Sequence, residues 1–164
     1  MSQSPTQSAY AAALAMLSRR DLSEAQVRER LARKGHVPEA IGGALLRLRA
    51  AGVVDDRRVA ASAARTEVEV KARGRARVML RLQSLGIPPD IAQTAADEAL
   101  EAADEEELLE RAIARRLRPP GTRIRDAAHF RRLLQQLIRQ GFAPSLAVRA
   151  LKRRAKHDDL AEEE

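Results

Sequence analysis

One short pattern occurs three times in this chain, and it restricts the fold more than any other feature. Residues 31–41 read LARKGHVPEAI, residues 82–92 LQSLGIPPDIA and residues 137–147 LIRQGFAPSLA. A leucine stands four positions before each glycine (Leu31, Leu82, Leu137), and a proline stands three after it (Pro38, Pro89, Pro144). The glycines themselves, Gly35, Gly86 and Gly141, are 51 and then 55 residues apart. One copy would describe any corner between two helices. Three copies with the same offsets describe a tandem array of small units.

The chemistry of the pattern is that of a helix end followed by a helix start. A glycine just past a helix takes the left-handed conformation that terminates it. A proline at the first position of the next helix loses no hydrogen bond, because that N–H is orphaned anyway. Glu39, Asp90 and, more weakly, Ser145 follow the prolines, where the helix dipole favours an acid or an acceptor. His36, Ile87 and Phe142 occupy the same place in the three copies, and each is expected to plug its corner.

Helical periodicity fills in the rest, and the expected fold is all-α, with three tandem three-helix repeats and no strand. Residues 1–8 are expected to be disordered, with a repeat over 9–53, a second over 54–103, a third over 104–156 and an acidic tail over 157–164. In repeat 1 the inward sets are Tyr10, Ala13, Leu14 and Leu17, then Val27 and Leu31, then Ile41, Ala44, Leu45 and Leu48. Ser23 with Gln26 forms a capping-box start. In repeat 2, Asp55 or Asp56 caps a helix whose inward face is Val59, Ala63 and Val70. A basic, flexible connector (Lys71 to Gly74) follows, then Val78, Met79, Leu82 and Leu85, then the alanine-rich helix with Ile91, Ala92, Ala95, Ala96 and Ala99. Repeat 3 turns in Leu109, Ala112, Ile113 and Leu117, then Phe130, Leu133, Leu134, Leu137 and Ile138, then Leu146, Ala147, Ala150 and Leu151. With only Tyr10, Phe130 and Phe142 as aromatics, the core is aliphatic.

Nothing in the chain reads as an active site. The glycines lack the spacing of a phosphate loop. His36, His129 and His157 are scattered, and no carboxylates join them in a metal pattern. Glu105 to Glu107 suits an acidic helix start. Without cysteine there is neither a thiol nucleophile nor a disulfide, which fits a reducing cytoplasm. The expectation is a soluble cytoplasmic monomer, not an enzyme, with no cofactor and no membrane segment.

The charge pattern points to a partner. The chain carries +7 overall: +7 over residues 1–96, −8 over 97–110, +13 over 111–156 and −5 in the tail. A basic module between acidic stretches favours a polyanion, whether nucleic acid or an acidic protein surface. The candidate contacts are Arg73, Arg75, Arg77 and Arg81 in repeat 2, with Arg123, Arg125, Arg131, Arg132, Lys152, Arg153 and Arg154 in repeat 3. The gathering of Arg111, Arg115, Arg116 and Arg118 toward the end of the seventh helix needs no function, since it complements the helix dipole.

Several stretches resemble the RecX family, bacterial regulators of the RecA recombinase. They are residues 17–24 (LSRRDLSE), residues 31–35 (LARKG), the Asp55-Asp56 helix start, Gly86, and Gly141-Phe142. The resemblance covers roughly residues 9–155 and departs at Val59, where the family places an aromatic. It implies an elongated, curved array of helix-turn-helix-like units, similar to winged-helix domains without the wing. It also implies binding in the groove of the RecA–DNA filament, with suppression of ATP hydrolysis and strand exchange. Two other readings compete: a helix-turn-helix-type protein acting directly on duplex DNA, and a general helical scaffold with a basic surface. Against the first, no single helix is rich in the Asn and Gln suited to base reading.

Overall fold

The computed structural model describes residues 4–117 and 123–160; the side chains of 156–160 lie outside that description. The described residues form nine α-helices and one π-helical turn, with no strand among them. The α-helices are α1 (Pro5–Leu17), α2 (Glu24–Arg33), α3 (Pro38–Ala50), α4 (Asp56–Arg65), α5 (Arg75–Ser84), α6 (Pro89–Ala103), α7 (Glu105–Arg116), α8 (Ala127–Arg139) and α9 (Pro144–Leu160), and the π turn spans Thr66–Val70. No described helix is long and apolar enough to cross a membrane.

All three corners close in the same way. Gly35, Gly86 and Gly141 have φ of 86°, 70° and 95°. The N–H of the residue after each glycine donates to the carbonyl of the leucine five positions back, at 3.2 Å in every case: His36 to Leu31, Ile87 to Leu82, Phe142 to Leu137. Each glycine N–H donates three positions back at 2.9 Å. This is the Schellman arrangement, in which the residue after the glycine packs on the residue that accepts its N–H. The recurring leucine and the recurring bulky residue are therefore two halves of one contact. Ile87 and Phe142 are buried, while His36 is only half-buried. Gly52 makes a fourth such ending after α3, with the Val53 N–H on the Leu48 carbonyl.

The chain forms two compact units. Unit 1 holds Met1–Ala63 with Leu82–Ala95, and unit 2 holds Ala64–Arg81 with Ala96–Glu164. Residues 54–103 contribute to both.

In unit 1 the core is Ala9, Ala13, Leu22, Val27, Leu31, Ile41, Ala44, Leu45, Leu48 and Val54, with smaller neighbours. The capping box of Ser23 and Gln26 forms as expected. Ser23 is fully buried, and its hydroxyl also donates to the Leu85 carbonyl, which ties the Gly86 corner to the start of α2. Asp55 caps α4, accepting from the N–H groups of Arg57 and Arg58 at 2.9 and 3.1 Å. Asp56 instead accepts from the Glu24 N–H at 2.8 Å.

The inward face of α1 differs from the expected one. Ala9 and Ala13 are buried and Leu14 is 37% exposed. Small residues face α3 because the two helices approach closely: a Cβ on Gly43 would meet Thr6 Cγ2 at 2.9 Å. The helix also starts at Pro5, within the stretch expected to be disordered, with proline at its first position. Residues 1–3 lie outside the described residues.

In unit 2, Leu108, Leu109, Ala112, Ile113, Leu133, Leu137, Phe142, Ala147, Ala150 and Leu151 are buried. α9 continues to Leu160, into the expected tail; residues 161–164 lie outside the described residues.

The segment before α5 departs most from expectation. The π turn shifts the helical register, so Val68 is buried and Val70 is 65% exposed. The shift also carries Glu67 inside, at 1% exposure. Ala72 then takes a left-handed φ of 50°, and the Arg73 N–H donates to the Glu67 carbonyl at 3.1 Å. The connector is thus a specific hydrogen-bonded turn.

Candidate nucleic-acid and protein contact surface

All the candidate basic residues belong to unit 2, but they do not form one set. Several are engaged within the protein. Glu67 accepts from Lys71 Nζ at 2.6 Å and Arg73 Nη1 at 2.7 Å, with Arg81 Nε at 4.0 Å. Burial would push the Glu67 carboxyl up, but the Lys71 hydrogen bond and the Arg73 charge outweigh it and hold the carboxyl below the usual glutamate range. Arg75 pairs with Asp97. Arg153 pairs with Glu106 and Glu110 at 3.3 and 3.7 Å, so the acidic start of α7 neutralises part of α9.

The others lie at the start of α8, in the loop before it and on α9. Arg131 and Arg132 are exposed on α8; Arg132 helps to hold down the Asp126 carboxyl, after the His129 N–H that Asp126 caps. The Arg125 N–H donates to His129 Nδ1 at 3.3 Å, and Arg123 is in the same loop. Lys152 lines a cleft of about 410 Å³ with Ser145, Val148, Arg149 and Arg153. Arg154 is half-buried on α9.

A second cavity brings together Arg73 and Arg77 of the candidates, and it adds two arginines that sequence reasoning missed. A cavity of about 290 Å³ is lined by Arg73, Arg77, Arg116, Gln136, Arg139 and Gln140. The Gly141 corner builds it. The Gly74 N–H donates to the Gln140 carbonyl at 3.0 Å and the Ala76 N–H to the Gly141 carbonyl at 3.1 Å, which seats the start of α5 against the end of α8. Gln136 Oε1 accepts from Arg116 Nε at 2.9 Å. Burial, and then the nearby Arg139 charge, lower the pKa of the Arg116 guanidinium. Arg116 and Arg139 end α7 and α8, so from sequence each reads as a dipole partner; their meeting with Arg73 and Arg77 depends on tertiary packing.

Unit 1 offers a contrast. Its cavity of about 470 Å³ mixes Glu24, Asp55 and Asp56 with Arg49 and Arg57, and burial pushes the Asp56 carboxyl up. Among the described residues, no group of three or more metal-ligating side chains comes together.

These features define a small all-helical protein with a basic lining in one unit. Comparison with known proteins is more specific. Residues 9–48 match the family model described as RecX, first three-helix domain. The chain is 36% identical over 145 residues to the Regulatory protein RecX of Syntrophotalea carbinolica, covering 87% of this chain and 93% of that one. It is 32% identical over 157 residues to the Regulatory protein RecX of Geobacillus kaustophilus, of which it spans 57%. The crystal structure of RecX from Lactobacillus salivarius shares the fold, with a TM-score of 0.76 at 21% identity over 95% of this chain and 97% of that one. A second RecX crystal structure matches with a TM-score of 0.77 at 23% identity, over 91% of this chain and 72% of that one. The chain belongs to the RecX family.

Proposed function

We propose that this chain is a non-catalytic regulator of the RecA recombinase, acting in the cytoplasm as a monomer. It binds in the groove of the RecA–DNA filament and limits filament growth, ATP hydrolysis and strand exchange. The observation that carries the reading is the 36% identity across 93% of a protein named Regulatory protein RecX. Arg77, Arg131 and Lys152, all exposed, are among its contacts with acidic protein surface and DNA phosphates.

The test is the DNA-dependent ATPase rate of the cognate RecA on single-stranded DNA. The regulator is added well below the concentrations of both RecA and DNA sites. A fall in rate at that ratio is the expected result, since so little protein cannot sequester the DNA. A fall only near the DNA-site concentration would favour the second reading, direct DNA binding, which the arginine-lined cavity supports. No fall would refute regulation of that RecA.

A further inference from the structure

The arginine-lined cavity of unit 2 is electrostatically incomplete. Four arginines line it and no acidic residue does. Glu67 pairs with one lining residue, Arg73, and is shared with Lys71 and Arg81. Among the described residues, neither Arg77 nor Arg139 has an ion pair or side-chain hydrogen bond. The ends of α7 and α8 contribute roughly −0.5 each. Even counting both and the whole of Glu67, about two positive charges are left over. Like charges lining one cavity repel: burial first, and then the Arg139 charge, lower the pKa of Arg116.

The wall also holds unused hydrogen-bonding capacity. Gln140 Oε1 is buried without a partner. A half-turn of the amide puts its NH2 in the same place, so the group can serve an acceptor as readily as a donor. Arg116 is fixed by Gln136 through Nε, which fixes the plane of its guanidinium. The backbone that carries Arg73 and Arg77 is tied to that of Gln140 and Gly141 by the Gly74 and Ala76 hydrogen bonds. A prepared, half-buried arginine with unpaired arginines at the rim is an arrangement for gripping an anion.

The number of donors selects the kind of anion. A side-chain carboxylate has two oxygens and satisfies about two guanidiniums by bidentate pairing. Four guanidiniums and an amide call for a group with three or four oxygens spread tetrahedrally. The cavity, about 290 Å³, lies just below the roughly 300–1,000 Å³ typical of small-molecule sites, and it suits one such group with its ester substituent.

We infer that Arg73, Arg77, Arg116 and Arg139, with Gln136 and Gln140, form a seat for a single phosphate group. The group comes either from the backbone of a polynucleotide or from a free phosphorylated small molecule. The site does not depend on the RecA reading.

The experiment follows the arginine Nε–H resonances of the ¹⁵N-labelled full chain. It is titrated with inorganic phosphate, with chloride at equal ionic strength, and with a single-stranded oligo(dT). Saturable shifts of Arg116 and Arg77 with phosphate but not chloride are expected, with at least a tenfold loss of affinity in the double variant R77Q/R139Q. A control variant, R19Q/R20Q, removes the same charge from exposed positions in unit 1 and should retain the phosphate response. If oligo(dT) displaces phosphate from these arginines, the source is a polynucleotide backbone. If phosphate binds and oligo(dT) leaves it in place, the source is a free phosphorylated molecule. Equal shifts in chloride, or a phosphate response unchanged in R77Q/R139Q, would overturn the site. Thermal melts in chloride guard against misfolding: R77Q/R139Q should melt no lower than the parent, because the change removes repulsion. If it melts far lower, the single variants R77Q and R139Q replace it, and each must weaken phosphate binding for the site to stand.

Discussion

The backbone of Gly74 lies against the carbonyl of Gly141: a Cβ on Gly74 would sit 2.5 Å from that oxygen. In return, a Cβ on Gly141 would overlap the Arg77 amide and sit 2.7 Å from the Gly74 carbonyl. The third corner is therefore both a helix end and a docking surface. Gly35 has a similar left-handed φ, but nothing lies within 4 Å of its would-be Cβ. Alanine at Gly35 should cost only the left-handed penalty, about 1–2 kcal/mol. Alanine at Gly141 adds backbone overlap, bringing the loss to about 3 kcal/mol or more. Urea denaturation of the two variants checks the ranking, and equal losses would contradict the docking.

Ser23 combines two roles in one hydroxyl. It accepts from the Gln26 N–H and donates to the Leu85 carbonyl. Removal of the cap alone costs about 1 kcal/mol, and the stranded buried carbonyl adds roughly another 1–3 kcal/mol. Ser23→Ala should therefore destabilise by more than a surface cap would. Replacing Asp55 by alanine, an exposed cap of α4, is the comparison, and thermal unfolding of both variants measures the difference.

Much of unit 1 was legible because its determinants are local. The capping box, the corner glycines and the inward faces of α2 and α3 follow from residues within one or two turns of each other. α1 was misread because periodicity favours Leu14 over Ala9, whereas close approach to α3 favours alanine. The segment around Glu67 was illegible for a different reason. A π turn adds a residue to the helical count, and nothing in residues 66–70 (TEVEV) announces it. Arg116 and Arg139 are 23 positions apart, so helical spacing could not bring them together. Only the packing of α7, α8 and the corner does so.

The internal pairs rank the proposed filament contacts. Arg75 and Arg153 already face Asp97, Glu106 and Glu110, so each offers little net charge to a partner. Arg131 and Lys152 are exposed. Charge reversal at Arg131 and Lys152 should raise the concentration needed to inhibit the RecA ATPase by roughly fivefold, equivalent to about 1 kcal/mol. Neutralising Arg75 and Arg153 to glutamine should change it by less than about twofold. The reverse order in the ATPase titration would show that the paired arginines are released on binding.

Glu67 gives unit 2 a pH dependence whose sign is fixed by its partners. Its carboxyl lies below the ordinary value of 4.5 in the folded protein. A group depressed on folding contributes its stability above the unfolded pKa, and loses it as pH falls through the folded one. Glu67→Gln keeps the shape of the side chain and removes the charge that Lys71 and Arg73 meet. At neutral pH the loss should be about 1.5–3 kcal/mol, the range for hydrogen bonds to a charged group; partial exposure of both cations favours its lower half. Thermal melts of parent and variant between about pH 3 and pH 7 should show a constant gap down to the ordinary glutamate range. Below it the gap should narrow, because the parent protonates Glu67 and comes to resemble the glutamine variant. A gap that widened toward acid would mean that the carboxyl is held protonated by burial and that its lysine and arginine neighbours do not govern it.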